Sequence, residues 1–382
     1  MRALVLTPDF PPAHGGIQLL AHRLVANFEQ FTARVVTLAP PQRASSDPGH
    51  GEDVRRVSAP PDHRVAIARL NAAAYAEAWR FRPDVVLAMH IVAGPAAAAI
   101  RQSLRVPVVT YLHAKEVPHR RRLARFVLRR SDSIVAVSRY TAGLATAAGA
   151  DRWRIRIIPP GVDWREPPVR PRLRNPTVVT VARLEDRYKG HDVMTRALPL
   201  VRTQVPDAQW VVVGDGPLRS EIARLADTFG VRDAVHLCGA VDDRRRNEWL
   251  DGAHLFAMPS RVPPGGAGEG FGIVYLEAGV HRLPVVAGRA GGALDSVVDG
   301  VTGLLVDPTD HAEVATAVAR LLTDRELAET MGRSASARCR EFAWPRIAER
   351  LERLLEETVR NDSGGGGPRL IRSSAPRHAL IR

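Results

Sequence analysis

Short apolar runs recur through the first half of the chain, at 2–6, 34–38, 84–89, 108–112, 133–137 and 156–158. Their length and content of Val, Leu and Ile predict buried strands. Between them, 17–28, 65–79 and 139–148 place apolar residues at intervals of three and four, the period of an amphipathic helix. Strands alternating with helices predict a parallel sheet covered on both faces. The alternation stops at Pro159-Pro160-Gly161, and Pro167-Pro168 with Pro171 predict a stiff linker. It restarts with strands at 177–182, 209–213, 235–237, 255–258 and 285–287 and helices at 191–203, 217–229 and 312–322, with Pro217 in a first helical position. A last helix is expected at 346–357, after Trp344-Pro345. The tail from Asn361 has too little apolar content to fold and reads as disordered.

These patterns predict an α/β chain of two doubly wound, Rossmann-like domains in series, 1–165 and 166–344. Ligands of such sheets bind beyond the carboxyl ends of the strands, here in the cleft between the domains. A length of 382 residues fits two domains, and 45% hydrophobic with 25% charged residues is an ordinary globular balance. No run of about 18 apolar residues predicts a membrane-spanning helix. Residues 2–6 read as a first strand rather than as a signal peptide. Cys238 and Cys339 lie far apart, which argues against a disulfide framework and for a reducing cytoplasm.

The net charge of +13 raises the question of nucleic acid. Arginine is spread through nearly every segment, with no zinc-finger spacing, RNP-like strand or recognition helix, so no nucleic-acid partner is expected. The densest cluster is 119–130, where Leu123, Phe126 and Val127 form an apolar stripe flanked by arginines if the segment is helical. Such a face can pack into the core or rest on anionic lipid headgroups.

Candidate chemistry gathers at the strand ends. Glu269 and Glu277 bracket Gly270-Phe271-Gly272, a tight turn, and an apolar run at helical spacing. Glu269 is expected at the helix mouth, where free N–H groups favour a phosphate, and Glu277 about two turns above it. Gly15-Gly16 after the first strand can admit a phosphate to a second helix start. The segment lacks the G-x-G-x-x-G fingerprint and a suitably placed ribose-binding acid, which weakens a dinucleotide-oxidoreductase reading. His113 is expected at a strand tip facing the cleft, as a donor to a sugar hydroxyl or an acid–base group. Arg183 and Lys189 offer a fork and a point charge to a diphosphate. The turn Gly214-Asp215-Gly216-Pro217 reads as structural, and the glycine-rich turn at 288–292 is expected to face the same cleft.

In order, Gly15-Gly16-Ile17, the His113 segment, Pro159-Pro160-Gly161-Val162-Asp163, the Arg183 to Lys189-Gly190 loop, Gly214-Asp215-Gly216-Pro217, Met258-Pro259-Ser260, the spaced glutamates and Gly291-Gly292-Ala293 form one set. This set resembles the retaining glycosyltransferases of family 4, across roughly residues 1–360. The resemblance implies the GT-B fold, with a helix at 345–360 crossing back to the first domain. Asp9-Phe10-Pro11-Pro12 with Gly15-Gly16-Ile17-Gln18, and the segment 268–274, look closest to GDP-mannose-dependent mannosyltransferases acting on phosphatidylinositol mannosides.

By that resemblance Arg183 and Lys189 hold the donor diphosphate, Glu277 the ribose and Glu269 the transferred sugar. The backbone of Phe271, Gly272, Ile273 and Val274 lies near sugar and phosphate. Gly16 approaches the diphosphate from the first domain, His113 contacts the sugar, and Val241 borders the base. Five residues separate Arg183 from Lys189 where many relatives have four, which leaves Arg187 as an alternative to Arg183. Leu294-Asp295 stands where relatives often have Pro-Glu.

The implied reaction transfers a hexosyl group, mannosyl from GDP-mannose being favoured, to a hydroxyl of a glycolipid or glycan, with retention. No carboxylate stands out as a covalent nucleophile, which favours a front-face route assisted by the departing phosphate. Arg183 and Lys189 supply the cationic charge, so no metal and no other cofactor is expected. The expected location is cytoplasmic, with possible peripheral contact at the inner face of the membrane through 119–130. A UDP-sugar donor with a soluble or polysaccharide acceptor is the in-class alternative. A nucleotide-sugar-binding protein without turnover is the out-of-class one.

Overall fold

A computed structural model describes residues 1–12, 15–39, 53–166 and 171–363. The linker pair Pro167-Pro168 and the tail from Gly364 onward lie outside the described residues. The first sheet contains β1 (Arg2–Leu6), β2 (Thr32–Leu38), β3 (Asp53–Val57), β4 (Val85–Ala88), β5 (Val108–Leu112), β6 (Ser133–Ala136) and β7 (Ile155–Ile157). They lie in the order β3-β2-β1-β4-β5-β6-β7, all parallel. The second holds β8 (Thr177–Val181), β9 (Gln209–Val213), β10 (Val235–Gly239), β11 (Leu255–Met258), β12 (Val285–Gly288) and β13 (Gly303–Val306). Their order is β10-β9-β8-β11-β12-β13, again all parallel.

The central strands are continuous apolar runs because helices cover both faces. Ala3 to Leu6, Val85 to Ala88, and Val178 and Val179 are all fully buried. Strand order reverses between β1 and β4 and between β8 and β11, and each reversal opens a crevice at the carboxyl ends. The segments beginning at Thr7 and Met89 leave the first crevice, and those beginning at Ala182 and Pro259 leave the second.

The covering helices of the first domain are α1 (Gly16–Ala26), α2 (His63–Phe81), α3 (Gly94–Leu104), α4 (Glu116–His119), α5 (Arg121–Arg130) and α6 (Arg139–Ala147). The second has α7 (His191–Gln204), α8 (Arg219–Thr228), α9 (Asp243–Gly252), α10 (Ile273–Val280), α11 (Ala293–Ser296), α12 (His311–Thr323) and α13 (Arg325–Cys339), and the chain ends in α14 (Trp344–Ser363).

Several expectations need correction. β3, Asp-Val-Arg-Arg-Val, escapes the apolar pattern because it is a half-buried edge strand. Arg55 on β3 and Arg34 on β2 both pair with the buried Glu77 of α2. α3 escapes because its core face is small: a Cβ on Gly94 would lie 2.2 Å from Val127 of α5. α8 starts at Arg219, so Pro217 lies before the helix rather than in its first position. The basic segment is two helices, broken at Arg120. Its buried face is Ala124, Val127 and Leu128, which leaves Phe126 exposed.

α14 is longer than expected at both ends and includes Asn361, Asp362 and Ser363, the start of the segment read as disordered. Asp362 pairs with Arg101 at 2.6 Å. Ile347, Ala348, Leu351, Leu354 and Leu355 share one apolar cluster with Leu20, Leu24 and Val25 of α1 and with Phe271, Leu276 and Val280 of the second domain. The buried Glu352 accepts the Gln30 and Phe31 N–H groups at 2.7 and 3.1 Å. This helix therefore ties both domains together.

Candidate active site

The loop after β8 carries both predicted cations. Gly190 ends it at φ 80°, a conformation open to glycine, and a Cβ there would sit 2.2 Å from the Pro259 carbonyl oxygen. That close approach seats Lys189 against the second crevice. Its Nζ lies 3.0 Å from Glu269 Oε2, with both side chains largely withdrawn from solvent. Arg183 is exposed, with Nη1 3.7 Å from Glu185 Oε2, whereas Arg187 is engaged by Glu221. Of the two candidate arginines, Arg183 is the less committed.

Glu269 precedes a turn built on close backbone packing. A Cβ on Gly270 would meet the His113 carbonyl oxygen at 2.0 Å, and one on Gly272, at φ 83°, would meet the Tyr275 ring at 2.3 Å. Gly272 is the N-cap of α10 and supplies no side-chain cap. The first N–H groups of α10 are therefore available to an anion. The Phe271 side chain is buried against Phe342, 5.8 Å between ring centroids, so only its backbone can serve a ligand. Ile273 and Val274 are half-buried.

Glu277 is the fifth residue of α10, about one turn above the mouth rather than two. Desolvation raises its carboxyl above the ordinary range, opposed by the charge of Arg246 on α9. Val241, between β10 and α9, is half-buried against the apolar cluster that holds Val274 and Ala278.

Across the cleft, Gly16 is the first residue of α1, which has no side-chain cap and no acid in its first turn. A Cβ on Gly16 would meet nothing within 4 Å. Protein packing therefore does not account for glycine there, whereas room for a ligand would. His113 follows β5, its ring stacked on Tyr111 and His90 at 5.4 and 6.4 Å. Its Nε2 is 2.7 Å from the Met89 carbonyl oxygen. A carbonyl only accepts, so Nε2 carries the proton and Nδ1 is left as an acceptor in the neutral ring. Where a donor was expected, the neutral ring therefore offers an acceptor. The next residue, Ala114, holds φ at 109°, a strained value beside the cleft. On the same rim, desolvation pushes the Asp9 carboxyl up and the His90 imidazole down to about 4.

The fold thus brings together Lys189, Glu269, the mouth of α10 and His113, and leaves Arg183 exposed at the edge. Sequence reasoning missed the residues that bridge the cleft. Lys115 pairs with Asp186 at 2.6 Å, Arg139 with Asp295 at 2.6 Å, and the Ser138 hydroxyl donates to the Gly270 carbonyl at 2.5 Å. The advance signals were Ser138, a capping residue type at the end of a strand, and Asp295, already marked by its place in the last glycine-rich turn. A separate cavity of about 180 Å³ is lined by Asp192, Val193, Arg196, Arg261, Thr309 and His311, none of them a candidate residue. Asp192 and Arg261 there satisfy each other through two contacts, at 2.9 and 3.0 Å.

A family model of the glycosyl transferases group 1 matches residues 175–324, and one of Glycosyltransferase Family 4 matches 14–166. A GDP-mannose-dependent alpha-(1-6)-phosphatidylinositol monomannoside mannosyltransferase of Mycobacterium tuberculosis is 35% identical, over 93% of this chain and 98% of its own. A GDP-mannose-dependent monoacylated alpha-(1-6)-phosphatidylinositol monomannoside mannosyltransferase of Corynebacterium glutamicum is 30% identical, over 94% of this chain and 99% of its own. Among solved structures, Anabaena HepE in complex with UDP aligns with a TM-score of 0.78 over 94% of this chain and 100% of its own. At 22% identity that likeness carries the fold, the two facing parallel-sheet domains of GT-B.

Proposed function

The chain belongs to glycosyltransferase family 4 of the group 1 glycosyl transferases and is a hexosyltransferase, and we propose that it moves a mannosyl group from GDP-mannose to a hydroxyl of a phosphatidylinositol-mannoside glycolipid, with retention of anomeric configuration. The observation that carries the site reading is the shielded pair of Lys189 and Glu269 at the uncapped mouth of α10. The donor identity is drawn from the two mannosyltransferases named above, which the chain matches over nearly their whole length.

In this reading the donor diphosphate sits at the N-terminus of α10 and draws Lys189 away from Glu269. The lysine then faces the negative charge that grows on the leaving phosphate, and Arg183 joins it from the rim. Glu269, released, accepts hydrogen bonds from hydroxyls of the transferred sugar. Glu277 does the same for the ribose, the backbone around Phe271 and Gly272 lines sugar and phosphate, and Val241 borders the base. Gly16 leaves the diphosphate room on the α1 side. Nδ1 of His113 accepts from a sugar hydroxyl. The departing phosphate takes the acceptor's proton as the new bond forms on the face the phosphate leaves, so no protein nucleophile is needed. The cationic charge comes from Lys189 and Arg183, so turnover should persist in EDTA.

The acceptor reading extends to the membrane. No helix among the described residues is long and apolar enough to cross one. α5 turns Arg121, Arg122, Arg125, Arg129 and Arg130 outward, with Phe126 exposed under Arg130 at 4.0 Å. Trp153 stands 58% exposed near its far end, where Arg154 donates to the Arg129 carbonyl. We assign this face to peripheral contact with an anionic bilayer on its cytoplasmic side.

The test is a panel of GDP- and UDP-sugars, read by thermal stabilisation and by nucleotide release with and without phosphatidylinositol monomannoside. GDP-mannose alone should give both stabilisation and acceptor-dependent GDP release. Release from a UDP-sugar instead would overturn the donor assignment. Tight binding without release from any donor would support a non-catalytic clamp.

A further inference from the structure

The loop that carries Glu269 is poor in means of holding itself. Gly265, Gly266, Gly268, Gly270 and Gly272 surround the glutamate, and glycine loses more conformational freedom on ordering than any other residue. Within its own domain the Glu269 carbonyl is held by the Gly292 N–H at 2.8 Å. Lys189 holds the carboxylate at 3.0 Å, and a further grip on the backbone comes from the opposite domain, at the start of α6.

Ser138 is fully buried at the end of β6 and uses its hydroxyl in two directions. It accepts the Thr141 N–H at 3.1 Å as the N-cap of α6, and donates to the Gly270 carbonyl at 2.5 Å. Two residues on, the Tyr140 hydroxyl accepts the Gly268 N–H at 3.2 Å. These contacts fall on backbone groups of the two residues flanking Glu269. Between them, Arg139 binds Asp295 through its backbone N–H at 2.8 Å and Nε at 2.6 Å, and its Nη2 reaches the Leu294 carbonyl at 3.2 Å. A carboxylate from one domain thus sits at the helix start of the other, where the helix dipole favours it.

We infer that the first turn of α6 is a positioning device for Glu269, so that the carboxylate is set for the transferred sugar only when the two domains close. The inference rests on the reading of Glu269 as the acceptor of sugar hydroxyls. In an open cleft, water serves Gly268 and Gly270. In the closed one, Ser138 and Tyr140 replace that water, and Glu269 is fixed with the rigidity that a reacting geometry requires. Removing either hydroxyl should therefore penalise the closed state and spare the open one.

The experiment compares Ser138→Ala, Tyr140→Phe and Glu269→Gln in the full chain by kcat and KM, by GDP affinity from calorimetry, and by melting temperature. Ser138→Ala and Tyr140→Phe should each lower kcat about tenfold or more while GDP affinity stays within about twofold. The share of donor lost to water should rise relative to transfer. Tyr140→Phe should melt with wild type, which keeps the test valid if the buried Ser138→Ala fails to fold. Full kcat in both variants, with Glu269→Gln inactive, would overturn the positioning role alone. Full kcat in all three would overturn the Glu269 reading beneath it. A fall in GDP affinity parallel to kcat would also overturn the proposal, by showing that α6 maintains the nucleotide site itself.

Discussion

Glu277 is raised by burial above the ordinary glutamate value of 4.5, and Arg246 draws it only part of the way back. The folded state then binds the proton more tightly than the unfolded chain. Stability is therefore lost as pH rises through the folded pKa, and ionised Glu277 is a cost at neutral pH. Glu277→Gln should raise the melting temperature at neutral pH, with the gain vanishing below pH 4.5, and should weaken GDP binding about tenfold through loss of a charged acceptor. A lower melting temperature with unchanged affinity would remove Glu277 from the ribose site. Gly16 gives a second separation of fold from function. Gly16→Ala meets no protein atom within 4 Å, so stability should shift by no more than about 0.5 kcal/mol. The added methyl should still cost donor affinity about tenfold by crowding the diphosphate. Equal donor affinity would show that α1 stands clear of it. At this scale residue types were legible and partners were not: His113 could be placed at a strand tip from its context, but its hydrogen-bond partner Met89 is the residue that follows β4, 24 residues away.

The elements read from apolar periodicity hold where packing is two-sided. β1, β5, β9 and β11 have the bounds that their apolar runs predict. The reading fails where burial is one-sided or the residues are small, as in the arginine-bearing β3 and the alanine-rich α3. α14 shows what an element gains from its neighbours. Glu352 lies inside it and satisfies two N–H groups that follow α1, more than 300 residues away in the chain. Glu352→Ala should cost about 1–3 kcal/mol, since the Phe31 N–H stays buried without a partner. Chemical denaturation measures this directly, and an unchanged midpoint would mean that water replaces the carboxylate.

At the scale of the molecule, two facing sheets are joined by α14 and by charge pairs across the cleft, Lys115 with Asp186 and Arg139 with Asp295. The proposed membrane face on α5 would give the whole particle a direction relative to an anionic surface. Changing Arg121, Arg122 and Arg125 together to Ala should weaken sedimentation with anionic vesicles on the order of a hundredfold, at about 1 kcal/mol per arginine. Neutral vesicles should bind neither form, and unchanged binding to anionic ones would discard the membrane face. Taken alone, the sequence determined the two-sheet architecture, the cleft and the ordered set of strand-end residues, because apolar period and glycine placement are local and each constrains the backbone where it stands. Only the tertiary structure decided that Lys189 neutralises Glu269, that Arg187 is occupied by Glu221, and that α6 grips the glutamate loop from the other domain. Each of these joins residues 34 to 132 positions apart. The first two distances are set by how loops pack at the strand ends of the second domain and the third by how the sheets face one another, and no local pattern encodes either.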